Sequence, residues 1–196
     1  SDESDPWISG QALLSLVRAT ELGYEVDAVA IENGAIYIQS QLQDVDQIGD
    51  AAEANRQAFF LYVIAETGMD INEEADALFE EHRALLDAYA KALLAMAYEA
   101  AGAAGANQEA LLVDLNDEVI MSATGAHWED EEQDFLNLSS NIRGTAMVIQ
   151  ALSQLQPDSP LLPPAVRWVM VARTAETWST LHTTAWSVSA LSDWMA

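Results

Sequence analysis

Three histidines are the side chains best suited to proton transfer or metal binding in this chain, and they stand far apart at His82, His127 and His182. A zinc site asks for ligands at fixed spacing, such as two His four residues apart on one helix face or a tight HExxH pattern. Neither pattern occurs. His82 follows Glu80-Glu81 on a polar helix face. His127 stands beside Trp128, with Glu129 and Asp130 following, and is the most suggestive of the three; the simpler reading is a loop anchored by an aromatic. His182 falls in the first turn of the last helix, where a polar contact near the helix start accounts for it.

Carboxylates are plentiful, 32 Asp and Glu, so pairs arise by chance. Asp44-x-Asp46 and Glu129-Asp130-Glu131-Glu132 offer the oxygens that calcium prefers, but neither fits an EF-hand loop, whose Gly and terminal Glu are misplaced here. A solvated acidic surface is the preferred reading. General acid–base chemistry needs two carboxylates poised across a cleft, as some toroidal helical enzymes have, and spacing alone does not reveal such a pair. No GxSxG, GxGxxG or P-loop pattern is present. There is no cysteine, which excludes disulfides, thiolate nucleophiles and Cys-based zinc sites and leaves the redox compartment open. No catalytic, cofactor-binding or metal-ligating residue is therefore assigned, and no cofactor is expected. Of the six tryptophans, Trp7, Trp168, Trp186 and Trp194 lie at helical spacing and are expected in the core or between helices. Trp128 and Trp178 are placed in loops ahead of helices, as candidates for surface contacts.

The elements that must position these residues are helices. The 196 residues suit one domain, and 51% are hydrophobic, enough to bury a core. Seven Lys and Arg leave a formal charge of −25, which repels nucleic acid and anionic membrane surfaces. No apolar run approaches the roughly 20 residues needed to span a bilayer. The first residue is Ser, no basic-then-apolar leader follows it, and Leu191-Ser192-Asp193-Trp194-Met195-Ala196 stops within an apolar segment. These features raise the expectation that the chain is a piece of a longer protein.

Ala is abundant and β-branched runs are short, which favours helix. Asp5 and Pro6 read as N-cap and first helical residue. Ile8, Ala12, Leu13, Leu16 and Val17 recur at helical spacing, and Gly23 stands where a left-handed cap belongs. A second helix is expected from about Val26 to Leu42, burying Val29, Ile36 and Tyr37. Further helices are expected over 51–67, from Asn72 toward Leu85, over 89–101 after Asp87, and from Asn107 as cap through Ile120. Gly23, Gly68 and Gly102 each follow one apolar helix and precede another, the mark of a repeated αα-hairpin. Thr124 to Trp128 and Asp134 to Leu138 then break the rhythm, so a short β-hairpin or extended loop is expected near 125–138. Helices resume over 140–155, 162–173 and 179–195, with Pro163 or Pro164 in a first turn, for about nine in all.

The segment Trp178-Ser179-Thr180-Leu181-His182-Thr183-Thr184-Ala185-Trp186-Ser187-Val188-Ser189-Ala190-Leu191 resembles the closing helix of the thioester domain in the alpha-2-macroglobulin and complement family. The usual pattern there is Trp/Gly-x-Ser-Thr-Gln-x-Thr-x-x-Ala-Leu-x-Ala-Leu. Further segments are similar to bacterial members: Asp5-Pro6-Trp7-Ile8; Leu78-Phe79-Glu80-Glu81-His82-Arg83 leading into Tyr89-Ala90-Lys91-Ala92-Leu93-Leu94; Gly125-Ala126-His127-Trp128-Glu129; Ser140-Asn141-Ile142-Arg143-Gly144-Thr145-Ala146; and the Pro-rich run Pro157 to Pro163 before Ala165-Val166-Arg167-Trp168. The resemblance covers nearly the whole chain in order.

It implies an all-α fold, an α/α toroid of the terpenoid cyclase-like kind, with residues 1–196 as the C-terminal part of one thioester-like domain. Such domains belong to large secreted or envelope-anchored proteins that trap proteases, so the implied location is the cell envelope, periplasmic or extracellular. The implied partners are trapped proteases and other domains of the same chain, with no nucleic acid and no membrane insertion. The Cys-x-Glu-Gln thioester normally precedes the region covered here and is absent from it. Leu181 departs from the usual Gln, and no His stands near Gln41 to Ile48, where an acyl-transfer histidine would be expected. Trp178, Ser179, Thr180, Thr184, Trp186, His127 and Trp128 are therefore carried over as structural motif residues, Ser179-Thr180 as a helix cap. A full toroid has twelve helices, so nine leave an open arc whose apolar edges are expected to self-associate. The competing readings are a toroidal α/α enzyme, of glycoside hydrolase or terpenoid-cyclase type, and a helical-repeat binding scaffold. The cyclase's Asp-rich motif and Gln-x-x-x-Gly-x-Trp repeats are absent.

Overall fold

The computed structural model describes residues 5–130, 137–174 and 177–196. Among them, nine helices and one two-stranded hairpin follow in order: α1 (Pro6–Glu21), α2 (Ala28–Gln39), α3 (Ala51–Glu66), α4 (Asn72–His82), α5 (Ala88–Ala100), α6 (Ala106–Asp117), β1 (Ile120–Ser122), β2 (Gly125–His127), α7 (Asn141–Leu155), α8 (Leu162–Val171) and α9 (Leu181–Met195). Odd and even helices form two layers. α1, α3, α5, α7 and α9 pack side by side in chain order as an inner row. Outside them, α2 packs on α1 and α3, α4 on α3 and α5, α6 on α5, and α8 on α7 and α9. This in–out alternation is an arc of an α/α toroid.

Residue type explains the layering. From Phe59 to Ala65 in α3, Ala88 to Tyr98 in α5 and Arg143 to Leu152 in α7, every residue is buried, so these helices meet neighbours on all sides. Alanines at 88, 90, 92, 95 and 97 in α5 let flanking helices approach closely, while Leu93 and Leu94 fill the space between. Each such leucine contributes about 1.5–3 kcal/mol on burial. Trp7 joins α1 to α3 through its ring contact with Phe59, centroids 4.1 Å apart.

The helix ends follow the expected chemistry in part. Asp5 caps α1 by accepting from the Ile8 amide at 3.0 Å. Gly23, Gly68 and Gly102 have φ of +83°, +84° and +68°, and each closes a helix in the left-handed conformation. Pro163 and Pro164 lie in the first turn of α8. Asn72 and Asn107 are not caps. Asp70 accepts from the Asn72 amide, and the Asn107 side chain donates to Asp76 at 2.8 Å, tying α6 to α4.

Several expected faces are turned around. In α2, Val29 and Ile36 are exposed, Tyr37 is half-buried, and Ala35 and Ile38 are buried. In α1, Ile8 and Ala12 face out while Trp7, Leu13, Leu14 and Val17 face in. Both helices carry apolar residues on two sides, so periodicity left the choice open. The hairpin also sits earlier than expected. α6 ends at Asp117, Ile120 opens β1 instead of closing the helix, and Ile120 pairs with His127 in antiparallel register. Residues 134–136 of the expected second arm lie outside the described residues, and Asn137 and Leu138 form a turn.

Candidate functional site

The motif residues of the C-terminal segment form one hydrogen-bonded joint between α8 and α9. The Trp178 indole N–H donates to the Val169 carbonyl at 2.8 Å, and the Trp178 amide donates to Thr184 Oγ1 at 3.2 Å. Thr184 Oγ1 in turn donates to the Thr180 carbonyl at 2.8 Å. Thr180 Oγ1 accepts from the Thr183 amide at 3.0 Å and so caps α9, while Ser179 is exposed beside it. Trp186 is buried one turn further along α9.

The second motif group sits where the hairpin meets α8. His127 lies flat on Trp168, centroids 4.5 Å apart and planes 1° from parallel, and its Nε2 is 3.0 Å from Glu129 Oε1. Trp128 is 2% exposed, and its indole N–H donates to the Leu115 carbonyl at 2.8 Å. Trp128 and Trp178 are thus core anchors, not surface contacts: each indole satisfies a backbone carbonyl inside the fold. Trp194, expected to be buried, is 42% exposed on the last turn. A glycosidase-like arrangement would set Trp128 or Trp178 beside two acids in a central cavity; both indoles instead donate to backbone carbonyls in the core.

The three histidines stay apart. His82 Nε2 lies 2.7 Å from the Val45 carbonyl. His182 is half-buried, and burial, reinforced by Arg143, lowers its pKa. Among the described residues no group of three or more His, Asp and Glu could hold a metal. Asp44 and Asp46 are exposed, Asp130 receives the Ser139 hydroxyl, and Glu131 and Glu132 lie outside the described residues.

Sequence reasoning overlooked a different constellation. A cleft of about 330 Å³ opens between α1 and α9, the two ends of the inner row, with Tyr62 of α3 and Gln150 of α7 on its wall. At the cleft Arg18 donates to Tyr62 Oη at 2.7 Å and contacts Glu66 at 3.0 Å and Glu21 at 2.8 Å. Burial holds the Glu66 carboxyl above the usual carboxylate range; Arg18 pulls it down, and Glu21 and Asp193 push it up. Burial likewise raises the Tyr62 phenol, with Glu66 adding to it. Gln150 is 2% exposed, and its Oε1 has no hydrogen-bond partner among the described residues. The available signal was scarcity: with seven Lys and Arg in the chain, each cation is worth following, and at Arg18 two carboxylates converge on one. Lys91, held by Glu118 and Asp114, and Arg83, bidentate on Asp114 at 2.6 and 2.8 Å, follow the same rule.

No family model matches the sequence, and no curated protein is significantly similar to it. Solved structures are. A Salmonella alpha-2-macroglobulin reacted with methylamine superposes with a TM-score of 0.73 over 97% of this chain and 12% of its own, at 23% identity. The native conformation of Escherichia coli alpha-2-macroglobulin gives a TM-score of 0.73 over 98% of this chain and 12% of its own, at 21% identity. An E. coli structure running from domain MG7 to the C-terminus gives 0.73 over 96% of this chain and 29% of its own, also at 21% identity. The fold of this chain is therefore that of a region of bacterial alpha-2-macroglobulins. It spans about an eighth of the longer structures that it matches.

Proposed function

We propose that this chain is a non-enzymatic α/α-toroid unit of a bacterial alpha-2-macroglobulin-like protein that traps proteases, working in the cell envelope or outside the cell. The supporting observation is that the likeness runs through 97% of the chain and is not confined to a few helices. The motif residues Trp178, Thr180, Thr184 and Trp186 serve this role by locking α9 onto α8, and His127 and Trp128 by seating the hairpin. Their work is to hold the arc rigid while other domains move around it. Any covalent trapping would come from a thioester elsewhere in the polypeptide, since no cysteine lies here.

The test uses the full-length polypeptide from which this sequence comes. Incubated with trypsin or elastase, it is expected to block cleavage of large protein substrates while sparing hydrolysis of small peptide substrates, because a caged protease keeps its active site. Equal loss of both activities, or of neither, refutes the reading. A Cys-x-Glu-Gln encoded upstream adds the expectation that methylamine treatment abolishes covalent capture.

A further inference from the structure

The connection from α8 to α9 is closed at its base and open along its length. Val169 and Trp178 are buried, and the indole N–H of Trp178 donates to the Val169 carbonyl at 2.8 Å, which ties the two ends together. The Trp178 amide, donating to Thr184 Oγ1, fixes the far end to α9. Between Val169 and Trp178 no described residue is buried. Beyond Ala172 the backbone is held lightly: the Arg173 amide donates to the Met170 carbonyl at 3.3 Å, and Thr174 and Thr177 exchange bonds of 2.9 and 3.3 Å. Opening this stretch takes no apolar side chain out of the core, so its local opening costs far less than global unfolding. Arg173 stands in it. The other six cations of the chain lie in helical turns: Arg18 in α1, Arg56 in α3, Arg83 in the 3-10 turn after α4, Lys91 in α5, Arg143 in α7 and Arg167 in α8. Arg173 alone follows the end of its helix. It is exposed, and its guanidinium has no hydrogen bond or ion pair with the described residues.

We propose that the Arg173–Thr174 peptide bond is a proteolytic processing site, cut by serine proteases whose specificity pocket takes Arg, and that the cut leaves α9 seated on the fold. A free, exposed guanidinium can enter a carboxylate-bearing pocket without first breaking a salt bridge. At the other six positions the chain would have to unwind a helix to lie extended in a protease cleft, and Lys91 and Arg143 are also buried. Arg18 and Arg83 would in addition lose Glu66 and Asp114. Cleavage is a hydrolysis: the amide C–N bond breaks, water supplies hydroxyl to the Arg173 carbonyl carbon and a proton to the Thr174 nitrogen, and the new carboxyl passes its proton to the new amine. At neutral pH this leaves a carboxylate on Arg173 and an ammonium on Thr174. Both new ends stay in place, because the bond from Trp178 to Val169 lies below the cut and bridges it. α9 is further held by Thr183, Trp186, Ser187 and Ala190, all buried where it packs on α7.

The test is limited digestion of the full 196-residue chain with trypsin, followed by intact mass, size-exclusion chromatography and circular dichroism at 222 nm. The first products are expected to be 1–173 and 174–196, eluting together with the helical signal retained. Arg173→Gln, at a side chain that touches nothing, is expected to remove this cut and slow the first cleavage by roughly tenfold or more, since cutting then waits for a helix to open. Arg173→Lys, which the same protease reads, is expected to restore the cut. Trp178→Phe removes the indole donor, and its nicked form is expected to release 174–196 sooner. A first cut at any other Lys or Arg, an unchanged digestion of Arg173→Gln, or a chain left intact while its urea-unfolded form is digested would overturn the site. Separation of the two fragments as soon as the bond is cut would overturn the clamp.

Discussion

Gly125→Ala tests how tightly the hairpin is seated on α8. Gly125 has φ +143°, where side chains are strained. A Cβ there would stand 2.1 Å from the Pro164 carbonyl oxygen and 3.0 Å from both the backbone nitrogen and Cβ of Trp168. These are the acceptor and donor ends of one turn of α8, so the methyl group would wedge into the helix backbone, which cannot rotate away as a side chain can. Relief requires the strand to withdraw by roughly 1 Å, which also pulls His127 off the Trp168 ring. Backbone strain costs about 1–3 kcal/mol and overpacking another 1–3. The sum of about 2–6 is a large part of the 5–15 kcal/mol typical of a whole domain. At about 2–4 °C per kcal/mol for a chain of this size, Tm should fall by roughly 5–20 °C. Gly23→Ala is the control: φ is +83°, nothing lies within 4 Å, and only the backbone cost of about 1–2 kcal/mol remains. Thermal unfolding followed by circular dichroism at 222 nm measures both. If the two variants lose the same Tm, the close approach of β2 to α8 is not what holds the hairpin, and the reasoning fails.

Three further outcomes follow from buried polar groups. Trp128→Phe leaves the Leu115 carbonyl without its donor in the core and should cost about 1–3 kcal/mol, read from the urea midpoint. Lys91→Met removes the cation from Glu118 and Asp114 at a site 6% exposed; a loss of about 1–3 kcal/mol is expected in the same assay, and a gain would show that α5 prefers an apolar residue there. Glu66 carries a pH prediction. Its folded pKa is raised, so the native state holds the proton more tightly than the unfolded chain. That contribution is complete below the unfolded value, about pH 4, and is lost as pH rises through the folded value. The stability of the native protein relative to Glu66→Gln should therefore fall between about pH 4 and neutrality; a difference that grows over this range contradicts the burial argument.

Fold class and helix order were legible because capping and helix-stopping residues act locally. Asp5, Gly23, Gly68, Gly102 and the paired prolines each constrain their own backbone, whatever packs around them. Buried faces were less legible. Val29 and Ile36 alternate with Ala35 and Ile38 so closely that α2 has two apolar sides, and which one faces inward depends on α1 and α3. Asn72 and Asn107 illustrate the same limit from the polar side. Both residue types suit a cap, yet Asn107 is taken by Asp76 from a helix about 30 residues earlier, a partner that no local pattern contains. The hairpin was displaced because Val119-Ile120-Met121 fits the end of a helix by hydrophobicity and a strand by β-branching. The pairing of Ile120 with His127 decided it.

The candidate cleft was invisible for a related reason. Arg18, Tyr62, Glu66, Gln150 and Asp193 come from four helices spread over most of the chain, and each has an ordinary local role. Arg18 pairs with Glu21 at a helix-compatible spacing of three, which hides its longer-range contacts. What concentrates them is the alternation of layers, which brings the first and last inner helices toward one another with Tyr62 and Gln150 between them. The same alternation explains how a chain of charge −25 folds at all. The inner row from α3 to α7 carries almost no acid along its buried stretches, so the carboxylates lie where water screens them. Where a carboxylate is drawn inward a cation is placed with it, Arg18 for Glu66 and Arg83 for Asp114, and the buried Lys91 reaches out to Glu118. At Glu66 that compensation is incomplete, because one guanidinium serves both Glu21 and Glu66, and Asp193 adds its field at Glu66. The deficit falls beside the cleft between α1 and α9, where the guanidinium of Arg18 also meets the Tyr62 hydroxyl.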